Sequence, residues 1–240
     1  MAVVFERRAE LGAVNLALLA QTWRDDFPVV REVPGTPPPL LDPRSQKIEV
    51  GVGPLPTRLW LLSDSGVNLI QVQNDTFIYN WRLTNEADAY PGHKRILDDF
   101  SRLWTDFNSK MSGTEPLHPR LVEWTYVDKL DLAHPSNELL HFVDDSLNKL
   151  PGRSLSLSFQ VIREIYEGDL TTGFLSVQGA PARMQSGGEE FFALNITTKL
   201  DASGRTSVDT LALLRKAHDT SFNAFTSVVP DYRPPKESVV

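Results

Sequence analysis

The chain has 240 residues, 41% of them hydrophobic, no cysteine and a formal net charge of −7. That length supports one large or two small folded domains. The missing thiols exclude disulfides, a cysteine nucleophile and cysteine-bound metal. The acidic balance argues against a nucleic-acid backbone as the main partner, because such binding needs clustered cations.

Val3–Glu6 reads as a short first strand. Leu11 to Phe27 has helical spacing, with Leu11, Val14 and Leu18 on one stripe and Leu16, Leu19, Trp23 and Phe27 beside it. Pro28 stops that helix. After Val33 come five prolines in ten residues, a stiff extended connector that cannot pair as a central strand. Lys47–Val52 reads as an edge strand.

Arg58 to Arg82 is the most ordered pattern in the sequence. Three β-rich runs are separated by Ser63-Asp64-Ser65-Gly66 and by Asn74-Asp75, a meander of antiparallel strands. A two-residue Asn74-Asp75 turn pairs Gln73 with Thr76, Val72 with Phe77, Gln71 with Ile78, Ile70 with Tyr79 and Leu69 with Asn80. Side chains alternate along a strand. One face then carries Ile70, Val72, Phe77, Tyr79 and Trp81, a core face. The other carries Leu69, Gln71, Gln73, Thr76, Ile78, Asn80 and Arg82, a solvated face or a binding face rich in amides.

Tyr90-Pro91-Gly92 opens a second helix with Ile96, Leu97, Phe100, Leu103, Trp104 and Phe107 on its apolar stripe. Leu121–Leu130 reads as a strand. Ser136 caps a third helix to about Leu147, which Pro151-Gly152 ends. Leu155–Arg163, Gly173–Val177 and Phe191–Lys199 read as three more strands, with a loop over Gly179–Glu190. Ser207 caps a last helix from Val208 to about Val228, with Leu211, Leu214, His218, Phe222 and Phe225 as its stripe.

Helices that follow groups of antiparallel strands define an α+β class. The pattern predicts two groups of three to five strands with helices on one side. Two look-alike halves, or one long curved sheet, would satisfy it. The halves span 1–132 and 133–230 as one compact unit, with a frayed tail over 231–240. No early run has a signal-peptide pattern or the length to span a bilayer, so a cytoplasmic protein is expected.

Motifs for chemistry are missing. His93, His118, His134, His141 and His218 show no zinc-site spacing, and there is no nucleophile elbow, Walker loop or dinucleotide fingerprint. No cofactor or metal is expected. His218-Asp219 lies in the last helix, where adjacent residues point about 100° apart, so Asp219 is not expected to orient the imidazole.

The run L-I-Q-V-Q-N-D-x-F-x-x-N-W-R (Leu69 to Arg82) is followed by Tyr90-Pro91 and by F-x-x-x-W-x-x-F (Phe100 to Phe107). E-W-T-Y-V-D (Glu123 to Asp128) and L-L-R-K-A-H-D-x-x-x-x-A-F (Leu213 to Phe225) come later. Together they resemble a sporadically distributed bacterial family of uncharacterised proteins of similar length, from about Trp60 onward. The chain departs from that family at Asp128, where relatives carry Asn, and in lacking its W-x-R finish. The resemblance implies a compact bacterial cytoplasmic protein and directs interest to Gln71, Gln73, Asn80, Arg82, Tyr90 and His218.

Two functions follow as expectations. The first is a non-enzymatic module that binds a protein partner through those six residues, in a bacterial defence, toxin-neutralising or regulatory assembly. Carboxamides and a cation on a rigid sheet can recognise a partner without chemistry. The alternative is a hydrolase or nucleotide-handling enzyme with a dispersed site around Arg82 and His218, joined by Asn80 and Tyr90.

Overall fold

The computed structural model describes residues 1–44, 56–84, 89–111, 116–130, 158–183 and 190–229. Its strands are β1 (Ala2–Phe5), β2 (Val29–Pro34), β3 (Thr57–Leu62), β4 (Asn68–Gln73), β5 (Thr76–Trp81), β6 (Pro119–Leu130), β7 (Phe159–Glu167), β8 (Leu170–Arg183) and β9 (Glu190–Asp201). The described helices are α1 (Ala13–Gln21), α2 (His93–Met111) and α3 (Ser207–Val228). The class is α+β. The described strands form one sheet in the order β2-β3-β4-β5-β1-β6-β9-β8-β7, the single-sheet alternative rather than two separate groups, and that order shows no duplication of a unit among the described residues.

The chain divides into two units, one holding Met1–Glu123 and Leu200–Arg215, the other Trp124–Lys199 and the rest of α3. Neither unit is a continuous half of the sequence. The expected strand over 47–52 and helix over 136–147 lie outside the described residues.

In the first unit, β4 and β5 pair in the register that a two-residue turn imposes, from Asn68↔Trp81 to Gln73↔Thr76. Such turns usually need residues in the left-handed region, yet neither Asn74 nor Asp75 has a positive φ. The turn is held from outside instead. Phe5 N–H donates to Asp75 O at 2.9 Å and Arg8 N–H to Asn74 O at 2.8 Å. In the turn between β3 and β4, Gly66 adopts a φ of 70°, where a Cβ would be strained.

The core face is the one expected. Ile70, Val72, Phe77 and Tyr79 are buried, and the six apolar residues of the α2 stripe all lie beneath solvent. Phe77 meets Trp23, Phe100, Trp104 and Phe107 at ring-centroid distances of 5.0–6.2 Å. Trp23 Nε1 donates to Asp106 Oδ2 at 2.7 Å, which ties the segment after α1 to α2. Helix α1 is shorter than its spacing suggested. Leu16 and Leu19 face inward, whereas Val14 and Leu18 are 74% and 57% exposed. The apolar stripe of such a short helix admits two rotations, and packing selected the one that buries Leu16, Leu19 and Trp23.

Strand β2 was not anticipated, because Pro34 and the prolines that follow it point to a connector. Val29–Pro34 pairs with β3 at the end of the strand order. Pro34 is tolerated there because an edge strand needs no N–H at its outer positions.

In the second unit, Val177, Phe192, Leu194, Ile196 and Phe225 form the core, with Tyr126, Leu130 and Phe159 packed against it. Strand β8 runs to Arg183, so the first residues of the expected Gly179–Glu190 loop are strand. Thr206 caps α3. Asp209 N–H donates to Thr206 Oγ1 at 3.2 Å, while Thr206 N–H and Oγ1–H donate to Asp209 Oδ2 at 3.2 and 2.8 Å. This reciprocal box satisfies helix-start donors and holds the Asp209 carboxyl below its usual range.

Phe77→Ala removes the ring at the centre of the aromatic cluster. It is expected to lower unfolding stability by about 3–5 kcal/mol. Urea unfolding followed by circular dichroism measures this, and a loss under about 1 kcal/mol would place the stabilising contacts elsewhere.

Candidate functional site

The face of β2–β5 opposite the aromatic core holds most of the expected residues. Paired residues across antiparallel strands share a face. The registers Arg31↔Trp60, Trp60↔Gln71 and Gln71↔Ile78 therefore run Arg31, Trp60 and Gln71 across it, with Arg58, Gln73 and Asn80 in neighbouring rows. Gln71 Nε2 donates to Asn80 Oδ1 at 2.7 Å, a diagonal carboxamide pair on half-buried side chains. Arg82 follows β5 and is exposed, with its backbone N–H on Val67 O at 2.8 Å.

This face is not the open amide surface that the sequence suggests. Leu62, Leu69 and Thr76 are buried, and Gln73 is only 1% exposed. Gln73 acts as a clamp. Its Nε2 donates to Thr36 O at 2.8 Å and to Asp75 Oδ1 at 2.6 Å, and Thr36 N–H donates to Gln73 Oε1 at 3.2 Å. The carboxamide thus bonds the Thr36 backbone as a neighbouring strand would. Gly35 supports the same strap through its N–H on Pro56 O at 2.8 Å, and a Cβ at Gly35 would lie 2.3 Å from that oxygen. Arg58 closes the network, its NH1 donating to Thr36 Oγ1 at 2.9 Å.

Two donors on this face have no acceptor. Arg58 Nε and Trp60 Nε1 are buried without a hydrogen-bond partner. Burial lowers the Arg58 pKa, opposed by the Asp75 charge. Asp75 is engaged elsewhere, accepting from Gln73 and from Thr76 Oγ1 at 3.0 Å and lying 3.8 Å from Arg7. Sequence reading missed Arg31, Arg58 and Trp60. The alternation in Arg58-Leu59-Trp60-Leu61 carries the signal for two of them, but only the register across β3 and β4 puts them beside Gln71.

Tyr90 and His218 lie apart from this arrangement. The Tyr90 ring meets Trp81 edge-on at 5.3 Å. Trp81 shares the core-side parity of Phe77 and Tyr79. His218 belongs to the second unit and is 6% exposed. Trp124, Tyr126 and Phe222 surround its ring at 4.8, 6.1 and 5.9 Å. Its Nδ1 lies 2.8 Å from Asp219 Oδ1, so the adjacent carboxylate does reach the imidazole, contrary to the expectation from the helical step. The Asp219 side chain is exposed and free to choose its rotamer, a freedom that residue angles alone omit.

The same side of β6 that carries Trp124 and Tyr126 carries Asp128. Burial raises its carboxyl to about 6, and Asp128 Oδ2 is buried without a hydrogen-bond partner. On the other side of this unit, Gln160, Gln178 and Asn195 line a shallow groove of about 390 Å³ over Ser158, Ala180, Ala182 and Ala193. Among the described residues, no three His, Asp or Glu side chains gather as a metal site, and no helix is long and apolar enough to cross a membrane.

No protein-family model matches this chain, and no curated protein or solved structure matches it either.

Gln73 and Gln71 separate structure from recognition. Gln73→Ala orphans both polar groups of Thr36 and is expected to cost about 1–3 kcal/mol of stability. Gln71→Ala should stay within about 1 kcal/mol of the parent. Equal losses in chemical denaturation would refute the clamp role.

Asp128 supplies a pH test. A carboxyl raised in the folded state contributes stability that is complete below its unfolded pKa of about 4 and lost as pH rises through about 6. Asp128→Asn should therefore exceed the parent by about 1–3 kcal/mol at pH 8, with the gap closing near pH 4. A gap independent of pH would show that the carboxyl is solvated.

Proposed function

We propose that this protein is a non-catalytic binding module whose recognition surface is the second face of β2–β5. The observation that supports the reading is the half-buried Gln71–Asn80 carboxamide pair, which shares its face with the exposed Arg31 and Arg82. Carboxamides and arginine on paired strands are held in place at little entropic cost, which favours recognition of another protein.

The setting proposed is the bacterial cytoplasm, as an accessory component of a defence, toxin-neutralising or regulatory assembly. That setting rests on the family resemblance alone. The enzymatic reading through Arg82, Asn80, Tyr90 and His218 draws less support, because His218 lies within an aromatic enclosure of its own unit and Tyr90 packs on Trp81.

Affinity capture from host lysate tests the reading. Bait carrying Gln71→Ala, Asn80→Ala and Arg82→Ala should lose a partner that the parent retains, with both baits equally folded by circular dichroism. Gln73 is left intact because its loss would confound folding with binding. A partner held equally by both baits would move the interface off this face.

A further inference from the structure

The charge on the second face of β2–β5 is one-sided. In a chain with 31 acidic and 24 basic residues, the strand positions on this face carry Arg31 and Arg58 and no Asp or Glu. Arg82, just past β5, shares the parity of this face at its other end. Among the described strand positions on this face, the first carboxylate comes at Glu123 of β6, beyond β1. Asp75 is close to Arg58 in the turn, but its oxygens serve Gln73, Thr76 and Arg7. Arg31 and Arg82 are exposed and Arg58 is half-buried, so the surface offers positive charge.

We propose that this face takes a carboxylate-bearing segment of a protein partner, its Asp or Glu side chains set against Arg31, Arg58 and Arg82. The inference rests on the binding-module reading and adds the chemistry of the partner. Guanidinium matches carboxylate geometry through paired N–H groups. Complementary charge also sets specificity and the rate of encounter. A nucleic acid satisfies the same donors but is disfavoured. Its phosphates form a continuous polyanion that meets a protein of net charge −7, whereas a short acidic segment places only a few charges on the local patch.

The test is fluorescence anisotropy with the full chain and a labelled decapeptide of alternating Glu and Gly. The same peptide with Gln for Glu and a single-stranded thymidine decamer serve as comparisons. The Glu peptide should bind at least about tenfold more tightly than the Gln peptide and weaken with added salt. Arg31→Gln/Arg82→Gln changes exposed side chains, leaves the Arg58–Thr36 bond intact, and should weaken the Glu peptide by roughly tenfold. Lys94→Gln/Arg102→Gln, on α2, should leave it unchanged. Equal affinity for the two peptides, indifference to the Arg31/Arg82 change, or preference for the decamer would each overturn the inference. Failure of the parent reading is distinguishable. If lysate capture depends on Gln71 and Asn80 but no acidic preference exists, only the charge assignment falls. If the captured partner ignores this face, the module reading itself falls.

Discussion

Phe77 is wholly buried between aromatic rings from α2 and the segment after α1. This contact constrains everything around it. Because β-strand side chains alternate, placing Phe77 inward fixes the inward set on β4 and β5 and, through pairing, on β1 and β3. A slip of one residue would put Gln71 and Asn80 into the aromatic cluster, each without its partner, at a cost of several desolvated polar groups. The same alternation drives Arg58, Trp60, Gln71 and Asn80 to the opposite side. The candidate surface is thus a consequence of core packing.

Polar groups then complete the end of the sheet. The turn between β4 and β5 is short and adopts ordinary backbone angles, so its carbonyls need donors from elsewhere. Phe5 and Arg8 supply them. Gln73 and Asp75, both buried, use their side chains to hold Thr36 and Thr76. Much of the hydrogen-bonding capacity at this end is used internally, although Asn74 Oδ1 is buried without a partner. Against that background the two donors left on Arg58 and Trp60 stand out, since buried polar groups are paired almost everywhere in folded proteins.

The second unit solves its packing differently. Aliphatic and aromatic residues of β6, β8 and β9 meet α3. Two small hydroxyls meet there as well, with Thr198 Oγ1 and Ser221 Oγ 2.7 Å apart. His218 is part of this packing, flanked by rings, with its polar edge turned to Asp219. An imidazole there fills space among the rings, with Asp219 at its Nδ1 edge. Asp128 Oδ2 is buried without a hydrogen-bond partner, and its carboxyl retains its proton to a higher pH.

Much of the local structure was legible in the residues. The Asn74-Asp75 spacing predicted the β4–β5 register, and the α2 stripe predicted its buried face, because both periodicities arise between neighbours along the chain. Other features depended on residues far apart in sequence. Strand β2 was hidden by Pro34 until β3 was present to pair with it. Gln73 read as a surface amide until the Thr36 strap was placed over it. Arg31, Arg58 and Trp60 became part of a site only when three strands aligned, and the single strand order required β1 to insert between β5 and β6. The sequence by itself determined which way each strand and helix could turn, since alternation and helical pitch are local. The tertiary structure decided which polar groups are buried and which donors remain, because burial depends on what the rest of the chain brings against them.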